Sequence, residues 1–282
     1  DEHRNFDRVV NGLVGLAPGR SHALRGRVLF TESHDTAACD RYGRMPAAVH
    51  NGKSFIVSEE GDAGGGDAFQ KAQGALPYPT VQAVEANAFA ARRAALGLVL
   101  ILTAPGVPMI LQGQELCESA PYKWPRGPTM SWERVQAKEG IQARWLELCR
   151  DMIALRNKSS PPSASGCRPG PLMGDGLHVC HINGGVLAYL RWTEVPDSRE
   201  EDPFGPELAL VIVNCTHNQF PYYELGVPPS KAWRLALSTV ATAGRGSAEV
   251  VLETRTRAAH SFPCTIGVSL QAYSALIFLR QA

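Results

Sequence analysis

The sequence lacks an excess of charge of either sign: 28 Lys and Arg stand against 27 Asp and Glu, a formal net charge of +1. That removes the electrostatic case for a nucleic-acid partner or a charged membrane surface. A long hydrophobic run is also missing. The longest, Ala94 to Ala104, is about half of the roughly 20 residues that a span needs. The start, Asp1-Glu-His-Arg-Asn5, is polar, with neither a signal-peptide core nor an initiator Met. The chain is therefore expected to be an excised piece of something longer. Paired cysteines are lacking as well. The seven present are scattered, odd in number and never in C-x-x-C spacing. This argues against a disulfide framework and a structural zinc site, so no metal or cofactor is expected. A reducing compartment, the cytoplasm or a plastid stroma, is the expected location. The triplets Asn157-Lys-Ser159 and Asn214-Cys-Thr216 would matter only in a secreted chain. No internal repeat is visible.

What is present falls into two halves. Residues 5–16 place Phe6, Val9, Val10, Leu13 and Leu16 at helical spacing. Residues 27–32 read as a strand that runs into Glu32-Ser33-His34-Asp35. Acidic and imidazole groups are costly to bury unpaired, so a strand ending in them is expected to deliver chemistry. Residues 36–82 read as irregular, with Gly64-Gly65-Gly66-Asp67 as a loop without the repeated ligands of a calcium site. Residues 83–103 are rich in Ala and Leu and predict one strong helix, stopped by Pro105-Gly106. Val107–Gln112 is a second apolar strand, ending in Gly113-Gln114-Glu115. A loop over 116–138 carries Tyr122, Trp124 and Trp132. Residues 139–157 predict an amphipathic helix with Ile141, Trp145, Leu148, Met152 and Leu155 on its apolar face.

Composition shifts at Ser159-Ser-Pro-Pro-Ser-Ala-Ser-Gly166, which reads as a linker over 159–168 between a domain of 1–158 and one of 169–282. Beyond it the pattern turns to β. Candidate strands are His178–Ile182, Val186–Trp192, Leu208–Asn214, Phe220–Leu225, Trp233–Ser238, Val250–Thr254 and Ser269–Leu279, as in an antiparallel sandwich or barrel. His178 and His181, three apart on one strand, should face opposite sides. Residues 27–157 make two βα units, each with reactive groups past its strand's C-terminal end, where (β/α)-barrels carry their active sites. The expected fold class is α/β followed by all-β: the C-terminal portion of a (β/α)8 barrel, incomplete here, plus an antiparallel β-sandwich.

Phe30-Thr-Glu-Ser-His-Asp35 and Ala104-Pro-Gly-Val-Pro-Met-Ile-Leu-Gln-Gly-Gln-Glu115 resemble the strand-seven and strand-eight motifs of the α-amylase family, glycoside hydrolase family thirteen. The Glu-Ser-His-Asp wording is most similar to 1,4-α-glucan branching enzymes. Arg92-Arg93, the helix around Leu155-Arg-Asn157 and the trailing β domain fit the same pattern. The resemblance implies an α-glucan partner, starch or glycogen. It makes Asp35 the carboxylate that steadies the oxocarbenium-like transition state, where a fixed negative charge is worth most. His34, Glu32, Gln114, Glu115 and Trp132 become its substrate-binding neighbours. For Gln112, Gln114 and Glu115 the alternative is support from behind the site, and for Trp124 and Trp132 it is anchoring a loop. Retaining glycosidases need a nucleophile and an acid roughly 5 Å apart, and in this family both lie upstream of the Ser-His-Asp motif. Only Asp1, Glu2 and Asp7 precede it here as acids, so nucleophile and acid/base are expected to be missing and the isolated chain inactive. Thr36-Ala37-Ala38 also departs from the acidic-aliphatic pair of a branching enzyme. The expected activity is branching by retaining glycosyl transfer. The alternatives are α-amylase-type hydrolysis and a non-catalytic glucan-binding fragment.

Overall fold

The computed structural model describes residues 6–14, 27–38, 43–50, 81–120, 130, 132–158, 169–193, 203–205, 207–240 and 249–281. The expected linker at 159–168, the triple-glycine loop, Tyr122 and Trp124 lie outside them. The chain divides into two compact units: Asp1–Leu29 with Ala95–Met109 and Cys149–Ala282, and Phe30–Ala94 with Ile110–Leu148.

The first unit is dominated by β structure. Its strands are β3 (Gly176–Asn183), β4 (Val186–Trp192), β5 (Leu208–Asn214), β6 (Phe220–Val227), β7 (Ala232–Ser238), β8 (Val251–Glu253), β9 (Cys264–Leu270) and β10 (Ser274–Gln281). They follow β1 (Val28–Leu29) and β2 (Val107–Pro108). Six strands pair antiparallel in the order β3-β4-β5-β10-β7-β8, and β6 pairs with β9 in a second sheet. Val186, Ala188 and Leu190 of β4, Leu208, Leu210 and Ile212 of β5, Trp233 of β7 and Phe278 of β10 form one buried cluster with Leu225 and Val227 of β6 and Ile266, Val268 and Leu270 of β9. Alternate residues of both sheets thus share one core, the sandwich that the alternation predicts. β4 and β5 are buried on both faces, since Leu187, Tyr189, Val211 and Val213 are also fully enclosed. That is why they read as continuous apolar runs.

Several expectations need correction. The run Ser269–Leu279 is not one strand. β9 ends at Leu270 and β10 starts at Ser274, with Tyr273 at φ 47 between them and its N–H donated to Thr216 O. No Gly or Pro marks that turn. His178 and His181 do not face opposite sides. A bulge between Val179 and His181 sets His178 opposite Leu190 and His181 opposite Ala188, and these two share one face of β4. One extra residue restores the parity that a spacing of three breaks. The helix expected over 83–103 is two, Val81–Ala86 and Ala88–Thr103. Asn87 separates them: its Oδ1 accepts Ala90 N–H at 3.1 Å and its Nδ2 donates to His50 O at 3.1 Å. An Asn side chain competes with the helix for these groups and favours a cap. Short helices also stand inside both expected loops, at Met45–His50 and Glu133–Gln136.

β1 and β2 pair in parallel, Val28 with Val107 and Leu29 with Pro108, as two consecutive βα strands should. Both are much shorter than the apolar stretches that contain them. Val107 N–H and Met109 N–H donate to Arg27 O and Leu29 O, and the pairing then stops.

The end of the long helix is held from three directions. Leu102 O and Ala104 O accept from Arg156 Nη1 at 2.7 and 3.2 Å, and Gly106 O from Nη2 at 2.7 Å. Thr103 O accepts from Arg191 Nε at 2.6 Å, and Pro105 O from Arg27 Nη2 at 3.2 Å. The last carbonyls of a helix lack partners inside it, and cations suit that end of its dipole. Burial lowers the Arg191 guanidinium to about 10. Even so, it gives further bonds to the carbonyls of Leu172, Gly174 and Gly176. Among the described residues Cys117, Cys149, Cys180, Cys215 and Cys264 are in the reduced thiol form. Burial pushes Cys180 up to about 12. Asn214 is fully buried and donates to Asn218 O and Gln271 O, both at 2.8 Å, so its triplet offers no accessible amide in the folded domain.

Candidate functional site

The site is built within the second unit, from the segment after β1 and the segment after β2. Ser33 leaves the strand direction and caps the helix His34–Ala38. Its Oγ accepts Thr36 N–H at 3.3 Å, while its own N–H donates to Thr36 Oγ1 at 2.7 Å. This is a reciprocal capping box with threonine in the usual Glu/Gln place. Thr36, which departs from the branching-enzyme wording, therefore has a structural task. His34 and Asp35 occupy the first turn beyond the cap, where a carboxylate is favoured by the helix dipole. Their side chains approach to 3.2 Å and remain 67% and 81% exposed, open to a ligand.

Glu32 points the other way. It is 1% exposed, and its Oε2 meets Arg44 Nε at 3.2 Å and accepts Met45 N–H at 3.1 Å. Arg44 is fully buried and also donates to Gln112 O at 2.9 Å and Glu118 O at 3.4 Å. Burial raises the Glu32 carboxyl above the ordinary carboxylate range. Arg44 and the Met45 N–H oppose the shift, and Glu115 and Glu118 add to it.

Gln114 bridges the two segments. Its Nε2 donates to Thr31 Oγ1 at 2.7 Å, and its Oε1 accepts Leu111 N–H at 3.2 Å. It is buried to 4% exposure, at the start of a 3-10 turn, Gln114–Leu116. Glu115 Oε2 accepts Gly113 N–H at 2.8 Å, and Glu118 Oε1 accepts the N–H groups of Ser119 and Ala120 at 2.9 and 2.8 Å. Gly113 sits at φ 89, and a Cβ there would stand 2.6 Å from Met130 Cε and 2.8 Å from Arg44 Nη2. Only glycine lets the turn pass over the arginine.

The structure thus brings together Glu32, Gln114 and Glu115, and sets His34 and Asp35 on the helix that Ser33 caps. Trp132 is half exposed ahead of Glu133–Gln136, and among the described residues no hydrogen bond or ring contact joins it to His34 or Asp35. Sequence reasoning missed Arg44. Its only signal would have been the need of Glu32 for a buried cation. Among the described residues no group of three or more His, Cys, Asp or Glu is arranged to hold a metal ion, and no helix is long and apolar enough to cross a membrane.

Comparison with known families bears on the sandwich. Residues 177–281 match the alpha amylase C-terminal all-beta domain. That all-beta domain runs here from β3 through β10 and carries the two-sheet core described above. No curated protein matches the chain in a sequence search. Solved structures similar to it include a pullulanase from Anoxybacillus sp. complexed with maltotetraose, at 13% identity and TM-score 0.44 over 68% of this chain and 24% of that one. An Anoxybacillus alpha-amylase shares 14% identity at TM-score 0.43, over 71% of this chain and 35% of that one. A debranching enzyme from Nostoc punctiforme shares 16% at TM-score 0.43, over 71% and 33%. The chain spans about a quarter to a third of their lengths.

Proposed function

We propose that this chain is the C-terminal part of a retaining α-glucan-active enzyme, and that its activity is 1,4-α-glucan branching. The observation that carries the reading is Asp35, with His34 beside it. Both are exposed on the first turn of a capped helix that follows a parallel strand. The all-beta domain match at 177–281 supports the family. β1 and β2 would be the last two strands of a (β/α)8 barrel, with the sandwich of 169–282 as the domain that follows it in sequence.

In this reading Asp35 holds the sugar in the cleavage subsite and steadies positive charge as the glycosidic bond opens. His34 donates to the sugar's hydroxyls. Glu32, Gln114 and Glu115 act from behind: Glu32 and Gln114 are buried with their bonds directed into the protein, and Glu115 holds the Gly113 amide. Trp132 is free to stack on a glucan chain. The nucleophile and the acid/base would come from sequence outside this chain, and residues 1–282 alone should turn nothing over. Thr36 favours a second reading, α-amylase-type hydrolysis, because it stands where a branching enzyme's acidic residue is expected.

The test expresses the whole reading frame that carries this chain and supplies it with amylose, beside residues 1–282 alone. New α-1,6 linkages by proton NMR are expected from the former, lost by about a thousandfold or more on Asp35→Ala. New reducing ends without α-1,6 linkages would instead establish hydrolysis. Turnover by residues 1–282 alone would overturn the assignment of the missing carboxylates, and binding without turnover by either protein would make the chain a non-catalytic glucan binder.

A further inference from the structure

The small β6–β9 sheet has one face in the sandwich core and one that carries an unusual arrangement. A bulge between Phe220 and Tyr223 breaks the alternation of β6. Phe220 and Tyr223 pack against the core, while Tyr222 is 54% exposed. Bulges re-aim side chains in this way. The Tyr222 ring lies directly over Gly267 of β9: a Cβ at 267 would stand 2.2 Å from its Cε2 and 2.9 Å from its Cζ. The missing side chain is what lets the ring lie down on the sheet.

The hydroxyl is tethered. Tyr222 Oη donates to Glu224 Oε2 at 3.3 Å and accepts from Arg255 Nη1 at 3.2 Å. Arg257 Nη1 meets the same Glu224 oxygen at 3.0 Å, with its side chain 70% exposed. The result is a fixed aromatic plane, open to solvent on one side, with a carboxylate and two guanidiniums at one edge. Ser269, exposed on the same strand face as Gly267, lies further along β9.

We infer that Tyr222, with Glu224, Arg255 and Arg257, is a binding platform for an α-glucan chain, apart from the Asp35 site. The chemistry argues for a pyranose. A sugar ring has an apolar C–H face that matches an aromatic face, and hydroxyls that both donate and accept. The rim supplies an acceptor in Glu224 and donors in both arginines. A purely apolar partner would desolvate the donors and acceptors of the rim that these internal bonds leave over, and an anion would meet the Glu224 carboxylate. The ring is already oriented, so binding does not have to order it. The choice of an α-linked glucan, among pyranose polymers, rests on the proposed function.

Native electrophoresis of residues 1–282 in gels with and without soluble glycogen tests this, with laminarin, a β-linked glucan, as the comparison polymer. Glycogen is expected to retard the chain, and laminarin much less. Tyr222→Ala should weaken glycogen binding about tenfold, Arg257→Gln by about threefold, and Tyr222→Phe less than Tyr222→Ala. Thermal melts confirm that each variant folds, and Arg257→Gln, at an exposed position, keeps the test open if Tyr222→Ala does not fold. Glycogen retardation undiminished by both Tyr222→Ala and Arg257→Gln would overturn the platform while leaving the α-glucan reading of the parent enzyme intact. Equal retardation in laminarin, or none in glycogen, would also overturn it. The amylose assay decides the parent activity independently.

Discussion

At the scale of single residues, the site pairs an exposed acid with a buried one. Asp35 sits in solvent next to His34, while Glu32, three positions earlier, is enclosed with Arg44. A buried ion pair costs more in desolvation than an exposed one, and removing one partner leaves a stranded charge. Here burial wins and raises the Glu32 carboxyl. A group raised in the folded state contributes its stabilisation fully below its unfolded value of 4.5 and loses it as pH rises through the folded value. Urea unfolding from pH 4 to pH 8 should therefore show wild-type stability falling relative to Glu32→Gln as pH rises. A constant gap between the two would contradict it. The sequence showed that Glu32-Ser33-His34-Asp35 carries polar groups at a strand end. It did not show that the four divide into a buried strut, a helix cap and two exposed side chains, because that division depends on Arg44 and Thr36.

At the scale of elements, the sandwich strands were legible because their alternation and turn signals are local. Val186–Trp192 and Leu208–Asn214 match the sequence reading residue for residue. The failures are places where a local pattern has a nonlocal cause. The β3 bulge turns His181 toward the His178 side, where His181 Nε2 bonds Tyr223 Oη at 2.6 Å and its ring lies 4.2 Å from that of His260. His260 belongs to a tight turn with Ser261, both at positive φ, and its Nδ1 accepts Gly226 N–H at 3.0 Å. Burial, and then the neighbouring His260, lower His181 to about 4 from an ordinary 6.5. A depressed histidine contributes stability above its unfolded value and loses it as pH falls through the folded one. The midpoint of thermal unfolding should fall between pH 6.5 and pH 4, and by less in His181→Gln. Parallel pH profiles for the two proteins would rule this contribution out.

At the scale of the whole chain, each compact unit is assembled from separated segments. The long helix Ala88–Thr103 ends on guanidiniums 54, 78 and 88 residues away in sequence. Arg191 is the most enclosed of the three, fully buried in β4 and bonded to four backbone carbonyls. Arg191→Met would keep much of the side-chain volume and strand those acceptors. It should cost about 3–5 kcal/mol, measured by denaturant unfolding of the chain. A loss under about 1 kcal/mol would mean that water replaces the guanidinium.

The sequence by itself determined the local matters: the β-rich C-terminal half, its strand positions, the strand-end motifs at Glu32–Asp35 and Gly113–Glu115, and the absence of long apolar or strongly charged stretches. These follow from periodicity, turn residues and side-chain chemistry, which act over a few positions. Only the tertiary structure decided which of those residues face water and which are struts. It also decided that Asn87 splits a helix and that three distant arginines close one. It alone laid Tyr222 on Gly267. Each of these rests on satisfying buried polar groups or on close packing, and the partners that do so are far apart in the chain.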